Sequence, residues 1–434
     1  MDKQNFRMKI QKFSGKIQSN KFLGSISNGL MLTMSVLIIG SIFTLLDSIN
    51  ITVYQEFLQS TGLKSILGIP PSVTVSLISL YAVATISYSL AVKYNKDGLI
   101  AALISMMSFL LLTPMGLMED GMSTGIGTRW LGAPGFFVAV IVALLVSRLY
   151  VLIVDKEIYI KMPKGVPPTV EKSFASIVPG IIIATIMLAV RGIFQTTDYG
   201  NVHSFIYSIL QVPLTNLGGS WWAFLVTTLI GSLLWGIGIH GTMIVYSVMA
   251  PIWTTLRLEN LSAYQAGLEL PHLAPGGVFQ AVYITIGGSG ATIGLAIAML
   301  YATSKRYKTL GKLAILPSFL GINEPIMFGF PVVLNPRLLI PLIAVPLINV
   351  SLALGLTAVG ILPRLAGIGS PFGTPMFITG FIEGGWRVAV FQVILVLISF
   401  AIYYPFFKKI DVEAYNEEIN AENTKESENA ILEN

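Results

Sequence analysis

A chain of 434 residues in which 54% are hydrophobic and 11% charged has too few charges to cover a soluble surface, where about 25% is usual. Its mean hydropathy of +0.75 reads as a polytopic membrane protein, and the absence of cysteine excludes structural disulfides, thiolate metal sites and a cysteine nucleophile among these residues. The formal charge of +5 is unevenly spread: from Asp411 onward eight acids face Lys425 alone, and the remainder holds 26 basic and 14 acidic residues, a net of +12. The positive-inside rule accounts for that balance more simply than nucleic-acid binding.

A basic arm opens the chain, with Lys3, Arg7, Lys9, Lys12, Lys16 and Lys21 against Asp2. The first apolar run, from near Phe22, is longer than a cleavable signal core and lacks a small-x-small cleavage site, so it reads as a retained first helix. Stretches long enough to span, about 20 residues each, follow at 26–46, 72–92, 98–118, 133–154, 174–195, 219–239, 278–302, 338–361 and 387–407. Shorter or Gly/Pro-broken apolar segments lie at 240–253, 313–334 and 364–385. The fold class expected is an all-α membrane protein of about ten transmembrane helices plus two re-entrant hairpins, in two structural halves.

Basic loops orient this arrangement. The N-terminal arm, Lys93/Lys96, the stretch from Arg148 to Lys172, the cluster Lys305/Arg306/Lys308/Lys312 and Lys408/Lys409 all fall on the cytoplasmic side only if 313–334 enters and leaves from that side and 364–385 stays outward. Both termini are then cytoplasmic. The Pro-rich basic run around Met162-Pro163-Lys164-Gly165-Val166-Pro167-Pro168 reads as a joint between the halves. The chain accordingly divides into 1–172, 173–410 and an acidic tail, 411–434, whose composition predicts disorder.

Two polar groups stand out in apolar surroundings. Glu324 lies in Gly321-Ile322-Asn323-Glu324-Pro325. A carboxylate at bilayer depth costs about 2.5–3.5 kcal/mol on insertion scales and usually marks a pathway. Pro325 pushes the residue before it out of helical geometry, which in a membrane is tolerated only inside protein or beside a cavity. Alone, Glu324 reads as a proton-relay acid, a polar packing residue or a ligand for substrate hydroxyls; Asn323 beside it favours the third. His240, in Gly238-Ile239-His240-Gly241, reads equally as a proton-exchanging group or a core histidine bonded to a carbonyl. His203 and His272 sit in loop-like sequence and are assigned no catalytic role. Glu383 has Arg387 four residues on, which predicts a structural ion pair. Gly287-Gly288-Ser289-Gly290-Ala291-Thr292 is a weak phosphate cradle, lacking the following Lys, and reads better as close packing or an unwound segment lining a cavity.

Gly238-Ile239-His240-Gly241, the Gly287–Thr292 run and Gly321-Ile322-Asn323-Glu324-Pro325, in this order and spacing, together with the Met162–Pro168 joint, resemble the sugar-transporting IIC subunits of the phosphoenolpyruvate-dependent phosphotransferase system, in the lactose/cellobiose/diacetylchitobiose branch. The resemblance covers nearly the whole chain. It implies a bacterial inner-membrane permease, a homodimer formed through the N-terminal half, and a sugar site in the C-terminal half. It also implies a β-linked disaccharide substrate, phosphorylated at its 6-hydroxyl by a phosphocysteine IIB protein. Because this sequence has no cysteine, that donor is expected on a separate polypeptide, without which no turnover is expected. The expected sugar-contacting set is Glu324, Asn323, His240, Trp235, Gln280, Thr292 and Trp386, with His240 and Glu324 as the catalytic pair. No cofactor, metal or nucleic acid is expected. A proton-coupled symporter relaying protons through Glu324 and His240 fits the same residues; a non-transporting scaffold leaves the broken segments unexplained.

Overall fold

The computed structural model of the protein describes residues 12, 15–17, 19–49, 51–117, 124–163, 165–330, 332, 335–371 and 373–432. The elements in chain order begin with α1 (Lys21–Ser48), three short helices α2 (Thr52–Ser60), α3 (Leu63–Leu67) and α4 (Ile69–Thr74), then α5 (Ile78–Lys93), α6 (Gly98–Leu112), α7 (Phe136–Asp155) and α8 (Pro168–Gln195). Next come α9 (Val202–Ile206), α10 (Val212–Gly218), α11 (Trp221–Gly236), α12 (Gly241–Gln265), α13 (Gly276–Phe279), α14 (Ile293–Leu300), α15 (Lys305–Phe319), α16 (Glu324–Gly329), α17 (Pro336–Ala358) and α18 (Met376–Leu432). Between α6 and α7 the antiparallel strands β1 (Met115–Leu117) and β2 (Thr124–Ile126) form a small ribbon. Six helices of the described residues are long and apolar enough to cross a membrane, or up to seven if one bent pair is a single span. Local sequence sets several starts: Asn20, Asp97, Ser304 and Asn335 each accept a first-turn backbone N–H, filling donors that a helix leaves unpaired.

Several apolar stretches differ from their sequence reading. The stretch 98–118 stops being helical at Leu112 and turns into β1, since Pro114 cannot continue the ladder. The stretch 219–239 is α11, joined at a 69° bend to the shorter helices before it. The stretch 278–302 is broken into α13, a π-helical turn Gln280–Ile284, an irregular loop and α14. Conversely, 240–253 is only the first part of a 25-residue helix, α12. Arg257 and Glu259 end the apolar run in sequence, but both find partners within the fold.

One apolar cluster is built mainly from α1 and α5 to α8, including Ile86, Phe109, Phe136 and Val146, and extends to Ile183, Met187 and Val202. The same cluster takes in Ala250, Leu258 and Leu261 of α12 and Ala366 and Ile368, so packing is continuous across the Pro-rich joint and into later elements. Two further clusters, around Trp253, Phe279 and Tyr283 and around Leu295, Leu342 and Tyr403, hold the elements after α10.

Two segments double back. Helix α15 runs out to a turn at Gly321 (φ 83°), and α16 returns until Phe330 meets Tyr307, ring centroids 4.8 Å apart. At 15 residues, α15 is about 22 Å long, short of the ~30 Å hydrocarbon core. The second segment lies between α17 and the start of α18. There Glu383 accepts hydrogen bonds from the backbone N–H of Gly367 (2.9 Å), Ile368 (3.2 Å) and Gly369. Partly buried Arg257 donates to the carbonyls of Gly367 (2.9 Å) and Ile368 (2.6 Å) and interacts electrostatically with Glu383. The ion pair expected between Glu383 and Arg387 does not form. α18 breaks at Gly384 and Gly385, which turns Arg387 to the surface over the Trp386 ring.

The acidic tail also departs from expectation. Rather than losing order at Asp411, α18 continues as helix to Leu432, because its first carboxylates are engaged. Asp411 accepts from the N–H of Thr303 and Ser304, and Glu418 from those of Lys305 and Arg306.

Candidate functional site

The three glycine-bearing motifs, which lie between Gly238 and Pro325 in sequence, are joined by hydrogen bonds. His240 sits at the N-cap of α12, and its Nδ1 accepts from Met243 N at 3.3 Å. With Nδ1 accepting, the proton of a neutral ring resides on Nε2, which is then a donor. The His240 ring lies against Trp235, centroids 4.4 Å apart. Trp235 is buried in α11, and its Nε1 donates to Thr242 Oγ1 at 3.3 Å. Thr242 shares a hydrogen bond of 2.8 Å with Ser289 Oγ, which carries the network into the Gly287–Thr292 loop.

That loop is wound through left-handed conformations at Gly287 (72°), Gly288 (99°), Gly290 (82°) and Ala291 (53°). Gly288 is there for two reasons: its φ excludes ordinary side chains, and an added Cβ would lie 2.4 Å from Asn323 Cγ. The approach lets Asn323, 5% exposed, donate through Nδ2 to Ser289 O (2.7 Å) and Thr292 Oγ1 (2.8 Å). Thr292 passes its own proton to Gly287 O at 3.1 Å. Both Asn323 amide protons are thus used internally, leaving its Oδ1 as the group able to take a bond from a ligand. Thr292 is fully buried and engaged, which makes it a support for Asn323.

Glu324 is the first residue of α16 and is exposed. Among the described residues its carboxylate accepts no hydrogen bond from protein, and its charge is near enough to act on His240. An uncommitted carboxylate within electrostatic range of His240, on the residue after Asn323, is suited to hydroxyl-rich ligands. Acceptor and donor can grip one hydroxyl from two sides, and a charge-assisted bond is about twice as strong as a neutral one.

Two expected site residues stand apart from this network. Gln280 begins the π-helical turn and is partly buried; its carbonyl takes the N–H of Thr285 at 3.0 Å. Trp386 is 65% exposed, beyond the break in α18. Thr242 and Ser289 were not anticipated. Hydroxyls in glycine-rich turns are common, and nothing in the sequence says that these two meet. Arg257 carried a usable signal, a charge in an apolar helix, the same criterion that singles out Glu324.

A family model for "Phosphotransferase system, EIIC" matches residues 27–346. The chain is 39% identical over 428 residues to the lichenan permease IIC component of Bacillus subtilis (strain 168), covering 95% of this chain and 94% of that one. It is 38% identical over 427 residues to the PTS system cellobiose-specific EIIC component of Geobacillus stearothermophilus, 94% of each chain. The crystal structure of the transporter ChbC, the IIC component from the N,N'-diacetylchitobiose-specific phosphotransferase system, superposes with a TM-score of 0.88 at 36% identity, covering 94% of this chain and 98% of that one. With the family model spanning most of the chain and relatives matching nearly end to end, this protein belongs to the EIIC family of sugar-specific permeases of the phosphotransferase system.

Proposed function

We propose that the protein carries a β-linked disaccharide, of the cellobiose or diacetylchitobiose type, and delivers it for phosphorylation at its 6-hydroxyl by a phosphocysteine IIB protein. The observation that carries this reading is the open Glu324 carboxylate, following Asn323 and its network and within electrostatic range of His240. Glu324 accepts hydrogen bonds from sugar hydroxyls, including the one that receives phosphate. His240 donates from Nε2, and Asn323 offers Oδ1. Catalysis of phosphoryl transfer is mostly positioning of the acceptor oxygen, and Glu324 is the group that takes its proton. His240, holding its proton on Nε2, orients the hydroxyl. Trp235, buried and fixed through Thr242, backs the His240 ring; the open Trp386 and Gln280, which stand apart from the network, are proposed as outer contacts to the sugar. The phosphoryl donor is not among these 434 residues, which contain no cysteine.

In this reading the chain crosses the membrane about ten times with both termini cytoplasmic. The α15–α16 hairpin is re-entrant from the cytoplasmic side, and 364–385 from the other. Dimerisation runs through the first half: α8 is the least covered of the long apolar helices, with 17% of its span buried, and exposes Phe174, Ile177, Ile181 and Ile193. The test is a binding titration of purified protein with cellobiose, N,N'-diacetylchitobiose and lactose. Saturable binding of one of these, lost in Glu324→Gln, supports the assignment; equal binding by wild type and Glu324→Gln overturns it.

A further inference from the structure

The hairpin bearing Asn323 and Glu324 is held at its base by the last helix. The first-turn N–H groups of a helix have no partner within it. At the start of α15, four consecutive donors are taken by two carboxylates of α18. Thr303 N and Ser304 N donate to Asp411, at 2.9 and 3.0 Å, while Lys305 N and Arg306 N donate to Glu418, both at 2.9 Å. Ser304 Oγ adds a bond of 2.7 Å to Glu418, and Lys408 braces Asp411 at 3.1 Å. Asp411 is fully buried. Phe407, one turn earlier, packs on both arms of the hairpin, 6.2 Å from Tyr307 and 5.7 Å from Phe330. By contrast Lys305–Glu422 and Arg306–Glu417 are exposed ion pairs, which water and salt screen.

We propose that Asp411 and Glu418 are positioning residues for the sugar site. They lock the base of the hairpin to α18, so that this helix sets where Asn323 and Glu324 stand at the tip, about 22 Å away by helix length. The proposal rests on the reading that Glu324 binds the sugar. It assigns a task to acids that composition marks only as a solvated tail.

The chain lacks cysteine, so spin labels can be placed at will. Labels at Leu316→Cys on α15 and Leu397→Cys on α18, both exposed, report the hairpin position by pulsed electron resonance, and disaccharide titration reports the site. In Asp411→Asn/Glu418→Gln, amide groups replace acceptor oxygens facing N–H donors. The expected result is a broadened distance distribution and sugar affinity reduced about tenfold, with Glu422→Gln unchanged in both. If the double variant does not fold, Glu418→Gln alone is measured, with a smaller expected change in the same directions. Unchanged distances, or broadened distances with wild-type affinity, overturn the proposal. Failure of the underlying reading shows separately, as wild-type binding by Glu324→Gln.

Discussion

Glu324 and His240 differ in what their surroundings leave free. The Glu324 carboxylate is uncommitted, whereas His240 spends Nδ1 on the N-terminus of α12. Glu324→Gln is expected to weaken disaccharide binding roughly tenfold or more, the loss of a charged hydrogen bond of about 1.5–3 kcal/mol. It should reduce phosphorylation-coupled uptake further, by about 10²–10⁴-fold in all, as for removal of a general base. His240→Gln keeps a donor and should lose affinity and uptake in parallel; a drop in uptake far beyond the drop in affinity would reassign the base to His240. Gly288→Ala is expected to abolish sugar binding, since a methyl group 2.4 Å from Asn323 Cγ displaces the amide; calorimetric titration of the folded variant checks it. Glu324, Asn323 and His240 were legible because each is a costly polar residue beside a helix breaker. Thr242 and Ser289 were not, because their meaning comes from meeting across 47 residues.

At the scale of elements, charge parity predicts that 313–334 enters and leaves from one side; α15 and α16 turn back on each other at Gly321, with Phe330 against Tyr307. A cysteine at position 306 should react with impermeant thiol reagents from the cytoplasmic side only; labelling from outside would sink the topology. Composition misjudged two elements for the same reason. Glu259 in α12, and Asp411 and Glu418 in α18, look like solvated charge until their partners are known, and those partners are distant in sequence. Charges near the surface matter less. Asp97 caps α6 and holds Lys172 of α8 at 2.9 Å, and the Lys172 ammonium, with the Ile100 N–H, keeps the Asp97 carboxyl below the usual range despite partial burial. A depressed carboxyl contributes stability that is present above its unfolded value, near pH 4, and is lost as pH falls through the folded one. Lys172→Ala should therefore lower the melting temperature slightly at pH 7, and the difference from wild type should vanish in strong acid.

For the whole molecule, the proposed division is a first half that associates and a second that handles sugar. Cysteine cross-linking along α8 is expected to trap dimers, and cross-linking across 313–385 is not; the reverse pattern would refute the assignment. The central claim is that movement of sugar is tied to its phosphorylation. The direct measurement is uptake of radiolabelled disaccharide into proteoliposomes, with and without phosphorylated IIB protein on the cytoplasmic face, followed by identification of the accumulated species. Sugar 6-phosphate is expected, accumulating only when the phosphocarrier is supplied and unaffected by an imposed proton gradient. Free sugar accumulating on a proton gradient with no phosphocarrier present would contradict it.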